Sequence, residues 1–403
     1  MISVEEARER ILGALAPTPA ETVPLAASGG RVLARPVPAR LTQPPADVSA
    51  MDGYAVRAAD AAAKGAELRV VGSAPAGHPF PGAVGPGEAV RIFTGAFVPP
   101  GADAILLQED AEAADGRVRV GEAVRPGRWI RRRGLDFEEG ESLLAAGRRL
   151  TARDVGLAAA ANHPWLTVHR RPRIGILATG DEIALPGEPV MPGGIVSSNA
   201  HALAALVRAN GGEPLVLPIA PDDEAAIAEA AGAARGCDLL VTTGGASVGE
   251  HDLVQSALGP EGFTLDFWRI AMRPGKPLIW GRLGQTPLLG LPGNPVSALV
   301  CGVVFLVPAL RRLSGLAGPT APRTVRARLG AALPENDRRF DFLRARLDKA
   351  PDGETVALPF PVQDSSMMKT LARADALVLR APHAPPAAAE ETVEVIPLDD
   401  LGV

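Results

Sequence analysis

Val241–Asp252 reads VTTGGASVGEHD, and the apolar run CDLLV at 237–241 leads straight into it. A short apolar run bounded by turn residues reads as a strand buried on both faces. It stops at two threonines and two glycines, and Ser247, Gly249, Glu250 and Asp252 follow within a few residues. In open α/β sheets, ligands lie beyond the carboxyl ends of the strands. Hydroxyls and bare backbone there can hold an oxyanion, and nearby carboxylates can hold a hard cation beside it. The segment therefore predicts a phosphate-and-metal cradle at a strand end. Taken alone, it equally fits a glycine turn whose acids cap the next helix.

The chain on either side, residues 172–318, alternates strand and helix. RIGILAT (173–179), PLVLPIA (214–220) and CDLLVTT (237–243) read as strands. SSNAHALAALVRANGG (197–212) carries capping residues at its start and Asn-Gly-Gly at its end, which marks a helix at both ends. PDDEAAIAEAAGAARG (221–236) is a helix opened by aspartates. LPGNPVSALVCGVVFLVPALRRLSG (291–315) is a helix with Pro295 in its first turn. Such alternation predicts a mostly parallel sheet covered on both faces. A second strand ends in the same way, ILATGDEI (176–183), with Thr179, Gly180, Asp181 and Glu182. No Walker A run and no G-x-G-x-x-G is present, which disfavours a standard nucleotide fold.

Outside this block the pattern changes. An amphipathic helix, MISVEEARERILGAL (1–15), is followed by a proline-rich connector. From about residue 50 to 140, short apolar runs alternate with Gly/Pro turns, which reads as a β-rich unit. LTARDVGLAAAANHP (150–164) returns to helix, with Thr151 as candidate cap. Beyond about residue 320 the runs read as strands of a small β unit. The 403 residues suit two to four domains. A net charge of −5 argues against a nucleic-acid binder that works by neutralising phosphates. Cys237 and Cys301 lie in apolar contexts and read as buried thiols of a reducing compartment. The opening helix lacks the apolar core of a signal peptide, and VSALVCGVVFLVPAL (296–310) is short for a bilayer and contains Pro308. The expectation is a cytoplasmic protein with no membrane contact.

Four further stretches carry chemistry. MRPGKPLIWG (272–281) sets Arg273 and Lys276 about a Pro-Gly turn, with Arg269 upstream. SAMDGYAV (49–56) presents Asp52 in a turn beside Tyr54, and RIFTGAFVPPGADA (91–104) offers Thr94-Gly95 at a strand end. WIRRRGLDFEEG (129–140) puts Arg131, Arg132 and Arg133 before Asp136. Three adjacent arginines suit an oxyanion site, and they suit an ordinary charged surface as well. None of the six histidines has a readable catalytic partner.

As an ordered set, SAMDGYAV, RIFTGAFVPPGADA, IRRRGLDFEEG, LATGDEI, TTGGASVGEHD, RPGKPLIWG and LPGNPVSA resemble one family: the MoeA-type molybdopterin molybdenumtransferases, also found as the C-terminal domain of gephyrin. The resemblance implies a multidomain α/β and β fold. Its parts would be an elongated discontinuous dimerisation domain (1–49 plus 137–171), a β-rich domain (50–136), a MogA-like α/β domain (172–320) and a C-terminal β-barrel-like domain (321–403). It implies a homodimer that inserts molybdate into adenylylated molybdopterin with Mg2+ and releases AMP. A MogA-type adenylyltransferase and molybdoenzyme chaperones would be its partners.

Carried over by motif, Asp52, Thr94, Arg131, Asp136, Glu182 and Asp252 fall on active-site positions. Asp52, Asp136, Glu182 and Asp252 would hold the metal. Thr179, Gly180, Asp181, Asp222 (or Asp223), Thr243, Gly244, Gly245, Ser247 and Gly249 would bind the substrate. So would Arg269, Arg273, Lys276, Pro292, Asn294, Arg344 and Ser365 (or Ser366). This chain has Arg269 and Arg273 where the family pattern leads one to expect lysines, and Ser198 where an acid is frequent. Two other readings share the scaffold: a MogA-like adenylyltransferase, and a non-catalytic dimeric carrier.

Overall fold

The computed structural model describes residues 1–244 and 253–403; Gly245, Ser247, Gly249, Glu250 and Asp252 lie outside the described residues. The predicted parallel sheet is present. Its strand order is Glu213–Val216, Arg173–Ala178, Leu239–Thr243, Thr286–Leu291, Pro277–Leu283, Phe263–Arg269. The first four strands are parallel; Pro277–Leu283 runs antiparallel to both its neighbours, so Phe263–Arg269 at the edge points the same way as the first four. Side chains alternate between two cores, as the two-residue strand period demands. Ile174, Ile176, Val241 and Leu289 pack under the helices Asn199–Ala209 and Pro295–Cys301. Leu177, Leu240 and Leu288 pack under the helix Glu224–Gly232 on the other face.

The apolar helix at Pro295 runs on through a π-turn, Gly302–Leu306, to Leu313. Pro308 is tolerated because the looser turn has already displaced the regular hydrogen bonds. Among the described residues it is the one helix long and apolar enough to cross a membrane, and 89% of it is buried inside the protein. It is a core helix.

The β-rich unit is a six-stranded sheet ordered Ala104–Leu107, Gly53–Val56, Glu88–Ile92, Glu67–Ala74, Arg117–Val120, Ala111–Ala114. At the C-terminal end, Phe340–Lys349 pairs with both Thr355–Pro359 and Ala376–Arg380, which closes the strands into a barrel. Met272–Arg273 adds to this barrel beside Phe340 and Asp341, stitching it to the α/β unit.

Two distant stretches build one further layer. Ala20–Pro24 pairs with Trp165–His169, and Val37–Pro38 with Ser142–Leu144. They share a core of Val23, Leu33, Leu144, Leu150 and Val168. The helix Ala152–Ala160 starts at Thr151, where Asp154 accepts from both the Thr151 amide and hydroxyl at 2.8 Å. The opening helix, Val4–Gly13, packs elsewhere. Its apolar stripe Val4, Ala7 and Ile11 enters the α/β core beside Leu310.

Candidate active site

The site is built first from the ends of two parallel strands. Ala178 and Thr243 are register partners, and the Thr179 amide donates to the Thr243 carbonyl at 3.1 Å. Thr179, Thr242 and Thr243 are no more than 2% exposed. The Thr243 hydroxyl accepts from Asn199 Nδ2 at 2.8 Å and faces the Pro292 carbonyl at 3.3 Å. Asn199 Nδ2 also donates to the Gly293 carbonyl at 2.7 Å, so one amide clamps a strand end to the Pro-Gly loop. By contrast, the Thr179 and Thr242 hydroxyl oxygens are buried with no partner among the described residues. A buried orphan hydroxyl costs about 1–3 kcal/mol, and such groups collect where a ligand supplies the missing bond.

Glycine is required at two points of this turn. Gly244 has φ +93°, and a Cβ there would lie 2.3 Å from the Thr179 carbonyl oxygen. Gly180 has φ +148°, and a Cβ there would lie 2.6 Å from the Glu182 carboxylate. Asp181 Oδ1 accepts from the Asp222 amide at 3.0 Å, which draws the 221–223 loop to the same tip. Partial burial, then Asp181 and Glu182, push the Asp222 carboxyl above its ordinary range. Its neighbour Asp223 is used otherwise: its side chain accepts from the Ala226 amide at 2.9 Å and caps the helix. Of the two aspartates, Asp222 is the one whose carboxylate does not cap the helix.

A second wall comes from the cationic turn and the C-terminal barrel. Arg269 stacks on Trp268, its guanidinium carbon 3.7 Å from the ring centre, with Nε buried and without a partner among the described residues. Arg273 is drawn to the barrel. Its Nε donates to Asp341 Oδ2 at 3.0 Å, its Nη2 bonds the same oxygen, and Asp337 lies 3.6 Å away. Lys276 is half-buried and has no side-chain partner among the described residues. Gly275, at φ +115°, lies against the core helix, where a Cβ would meet Cys301 Sγ at 2.5 Å.

Asn294 Nδ2 donates to Ser365 Oγ at 2.9 Å, and the Val296 amide donates to the Ser365 carbonyl at 3.1 Å. The barrel therefore touches the Pro292–Asn294 loop through Ser365. Ser366 instead bonds Asp364. Arg344 is fully buried within the barrel, held by Gln363 Oε1 at 3.0 Å and the Asp364 carbonyl at 2.9 Å. One of its nitrogens, Nη2, has no partner among the described residues. Burial pushes its pKa down.

The β-rich unit carries a separate group. Asp52 Oδ1 accepts from both the Thr94 amide and the Thr94 hydroxyl, each at 2.7 Å. The amide bond first, then the hydroxyl and the charge of Arg91, hold the Asp52 carboxyl below its ordinary range. Arg91 in turn donates to the Gly53 carbonyl at 2.8 Å and covers the Tyr54 ring at 5.2 Å. The three arginines divide. Arg132 Nη1 and the Arg133 amide both bond Asp47, at 2.5 and 2.9 Å, and brace the turn. The Arg131 and Asp136 side chains are exposed and have no side-chain partner among the described residues.

Among the described residues, no group of three or more His, Cys, Asp or Glu is arranged to hold a metal ion. Asp52 and Asp136 sit on the β-rich unit and Glu182 on the α/β unit. Asn199 is the site residue that sequence reading missed. Its place at the start of a marked helix made it look like a cap, and only the fold brings it to Thr243.

Three family models match this chain. One described as the MoeA N-terminal region (domain I and II) covers residues 2–162. A probable molybdopterin binding domain covers 175–312, and the MoeA C-terminal region (domain IV) covers 326–398. A protein named molybdopterin molybdenumtransferase from Haemophilus influenzae is 33% identical over 100% of both chains. One of the same name from a Nostoc species is 39% identical over 80% of this chain and 76% of its own. A solved MoeA structure from Pyrococcus horikoshii is 31% identical, with TM-score 0.84 over 98% of this chain and 99% of that one. Its fold, its ordered motifs and its full-length relatives place this chain in the MoeA family of molybdopterin molybdenumtransferases.

Proposed function

We propose that this protein inserts molybdate into adenylylated molybdopterin and releases AMP, as a step of molybdenum cofactor biosynthesis. One observation carries the reading: the strand-tip cradle, where the Thr179 and Thr242 hydroxyls are buried without partners beside Gly244 and three carboxylates. Backbone and hydroxyls at 179–180 and 242–244 bind the phosphate oxygens. Asn199 and Asn294 hold the Pro292 loop against the pterin side. Lys276 and Arg269 offset the repulsion between phosphate and molybdate, two anions that must approach each other. Arg273 contributes less directly, since Asp341 and Asp337 already claim its charge.

In this reading Asp52, Asp136, Glu182 and Asp252 would hold the metal, since carboxylates are all-oxygen donors that suit a hard divalent cation such as Mg2+. Such an ion, when bound, screens the phosphates and polarises the phosphoanhydride. Asp252, Gly245, Ser247 and Gly249 complete the cradle in this reading. Asp52, Thr94, Arg131 and Asp136 act from the partner subunit of a homodimer. The Thr94 bonds keep Asp52 ionised at neutral pH, ready for a cation. The chain divides at residues 49, 136, 171 and 320, with the opening helix reaching across to dock on the α/β unit. The protein works in the cytoplasm, receives its substrate from a MogA-type adenylyltransferase, and passes its product to molybdoenzyme chaperones.

The test is AMP release from adenylylated molybdopterin, with molybdate and magnesium varied independently. The expected result is release that requires both. ATP consumption without molybdate would indicate the adenylyltransferase instead, and tight pterin binding without turnover at any metal level would indicate a carrier.

A further inference from the structure

Arg273 is a cation that sequence assigns to substrate and that the fold claims for itself. Its side chain is half-exposed, so an anion has room to reach it. Its donors are nevertheless spent on the protein. Nε donates to Asp341 Oδ2 at 3.0 Å, and Nη2 bonds the same oxygen. Nη2 also donates to Asn336 Oδ1 at 3.3 Å, and Nη1 faces Asp337 at 3.6 Å. An oxyanion arriving here meets the carboxylates of Asp341 and Asp337, whose repulsion offsets the attraction of the guanidinium.

The carboxylate that Arg273 holds lies inside the barrel unit. The Asp341 side chain is 4% exposed, and its other oxygen, Oδ1, has no partner among the described residues. Burial pushes the Asp341 carboxyl above its ordinary range, against the pull of the Arg273 bonds. Removing the arginine would strand a buried charge, which is strongly destabilising. The backbone repeats the join, because Met272–Arg273 pairs with Phe340 and Asp341, and the Phe340 amide donates to the Ala271 carbonyl at 2.8 Å. From Asp341 the strand Phe340–Lys349 carries on to Arg344. Gln363 Oε1 accepts from the Arg344 amide and from its Nε, each at 3.0 Å, and the Asp364 carbonyl accepts from its Nη1 at 2.9 Å. The next residue, Ser365, accepts from Asn294 Nδ2 and from the Val296 amide, at 2.9 and 3.1 Å. Each link from Arg273 to the Pro292–Asn294 loop is thus a hydrogen bond or a paired strand.

We propose that Arg273 is a positioning residue and not an anion ligand. It pins Asp341, seats the barrel strand, and through Arg344 and Ser365 fixes the Pro292–Asn294 loop and the start of the core helix. The planar fork of a guanidinium suits this task. It bonds a carboxylate along one edge and an amide oxygen beside it, where a lysine offers a single point of charge. Lys276, with no side-chain partner among the described residues, is then the cation of this turn left for substrate. The consequence for catalysis rests on the reaction proposed above, whereas the consequence for the loop does not.

The experiment uses Arg273→Met, Asp341→Asn and the double variant of the full-length protein. Its first readout is hydrogen exchange at the Val296 amide. The first amides of a helix have no partner within the helix, so this one is protected through the Ser365 carbonyl. Exchange should be roughly two- to thirty-fold faster in each single variant, the range for coupling carried through a packed network. The double variant should exchange no faster than Arg273→Met. Urea unfolding should show the same non-additivity, with the two single losses together exceeding the loss in the double variant. In AMP release, both single variants should raise the half-saturating concentration of adenylylated molybdopterin and leave that of molybdate unchanged. Unchanged exchange at Val296 in both variants, or additive unfolding losses, would overturn the proposal. So would a higher half-saturating molybdate concentration in Arg273→Met that is absent in Asp341→Asn, because Asp341→Asn keeps the arginine and only a direct ligand would separate the two. A parent that releases no AMP would count against the proposed reaction, and the exchange and unfolding results would still decide the role of Arg273.

Discussion

The strand-tip cradle and the Asp52 turn are made in opposite ways. At the cradle, Thr179, Thr242 and Thr243 are buried at the ends of two neighbouring strands. At the β-rich unit, Thr94, Arg131 and Asp136 are exposed, and one tether, Thr94 onto Asp52, sets the geometry. The first is rigid because burial over-determines it. The second is cheap to alter, because little packing depends on it. Their carboxylates differ in the same sense. Burial and like charges raise Asp222, whereas hydrogen bonds from Thr94 lower Asp52. One face stores electrostatic tension that a cation would relieve, and the other holds a ready anion.

The sharpest way to break this contrast is Gly244→Ala. A Cβ 2.3 Å from a backbone oxygen, at φ +93°, should cost on the order of 3 kcal/mol and abolish AMP release. A denaturation midpoint near the parent's would show that the turn is not as tightly held as it looks. Asp52→Asn should do the reverse: activity down on the order of 100-fold, with unfolding little changed. A large loss of stability there would mean that the two faces are not built differently after all. Asn199→Ala removes two hydrogen bonds and should cost roughly 1–3 kcal/mol in urea unfolding. It should also weaken substrate binding by loosening the Pro292 loop.

The smallest effects are the pH dependences, which carry opposite signs. Asp222 has a raised folded pKa, so its penalty is full above that pKa and disappears as pH falls below the ordinary carboxylate value. Asp222→Asn should therefore raise the melting midpoint slightly at pH 7 and leave it unchanged in acid. Asp52 has a lowered folded pKa, so its stabilisation is present above the ordinary value and is lost as pH falls through the folded one. Asp52→Asn should lower the midpoint slightly at pH 7, by an amount that shrinks in acid. Shifts of the same sign in the two variants would remove the contrast.

Period and punctuation alone made the α/β unit readable. The strands Arg173–Ala178 and Leu239–Thr243 and the helix Asn199–Ala209 lie where apolar runs, caps and glycines put them. The Thr-Gly-acid tips stood out by composition, but sequence alone left them equally readable as glycine turns whose acids cap the next helix. Local sequence could not rank neighbours of identical chemistry. Asp222 and Asp223 look alike until one is seen capping a helix. Arg131, Arg132 and Arg133 look alike until two of them turn to Asp47.

Sequence by itself determined the three strands at 173–179, 214–220 and 237–243, their covering helices and the composition of the strand tips, because these follow from interactions within a few residues. The three remaining strands and their antiparallel pairing came only with the fold. Tertiary structure alone decided that Arg273 turns to Asp341, that Asn199 clamps Thr243 to Gly293, that Ser365 meets Asn294, and that the opening helix packs against Leu310. Each of these joins residues far apart in the chain. Such partners are selected by the free energy of the assembled core and its charges, which no local window of sequence contains.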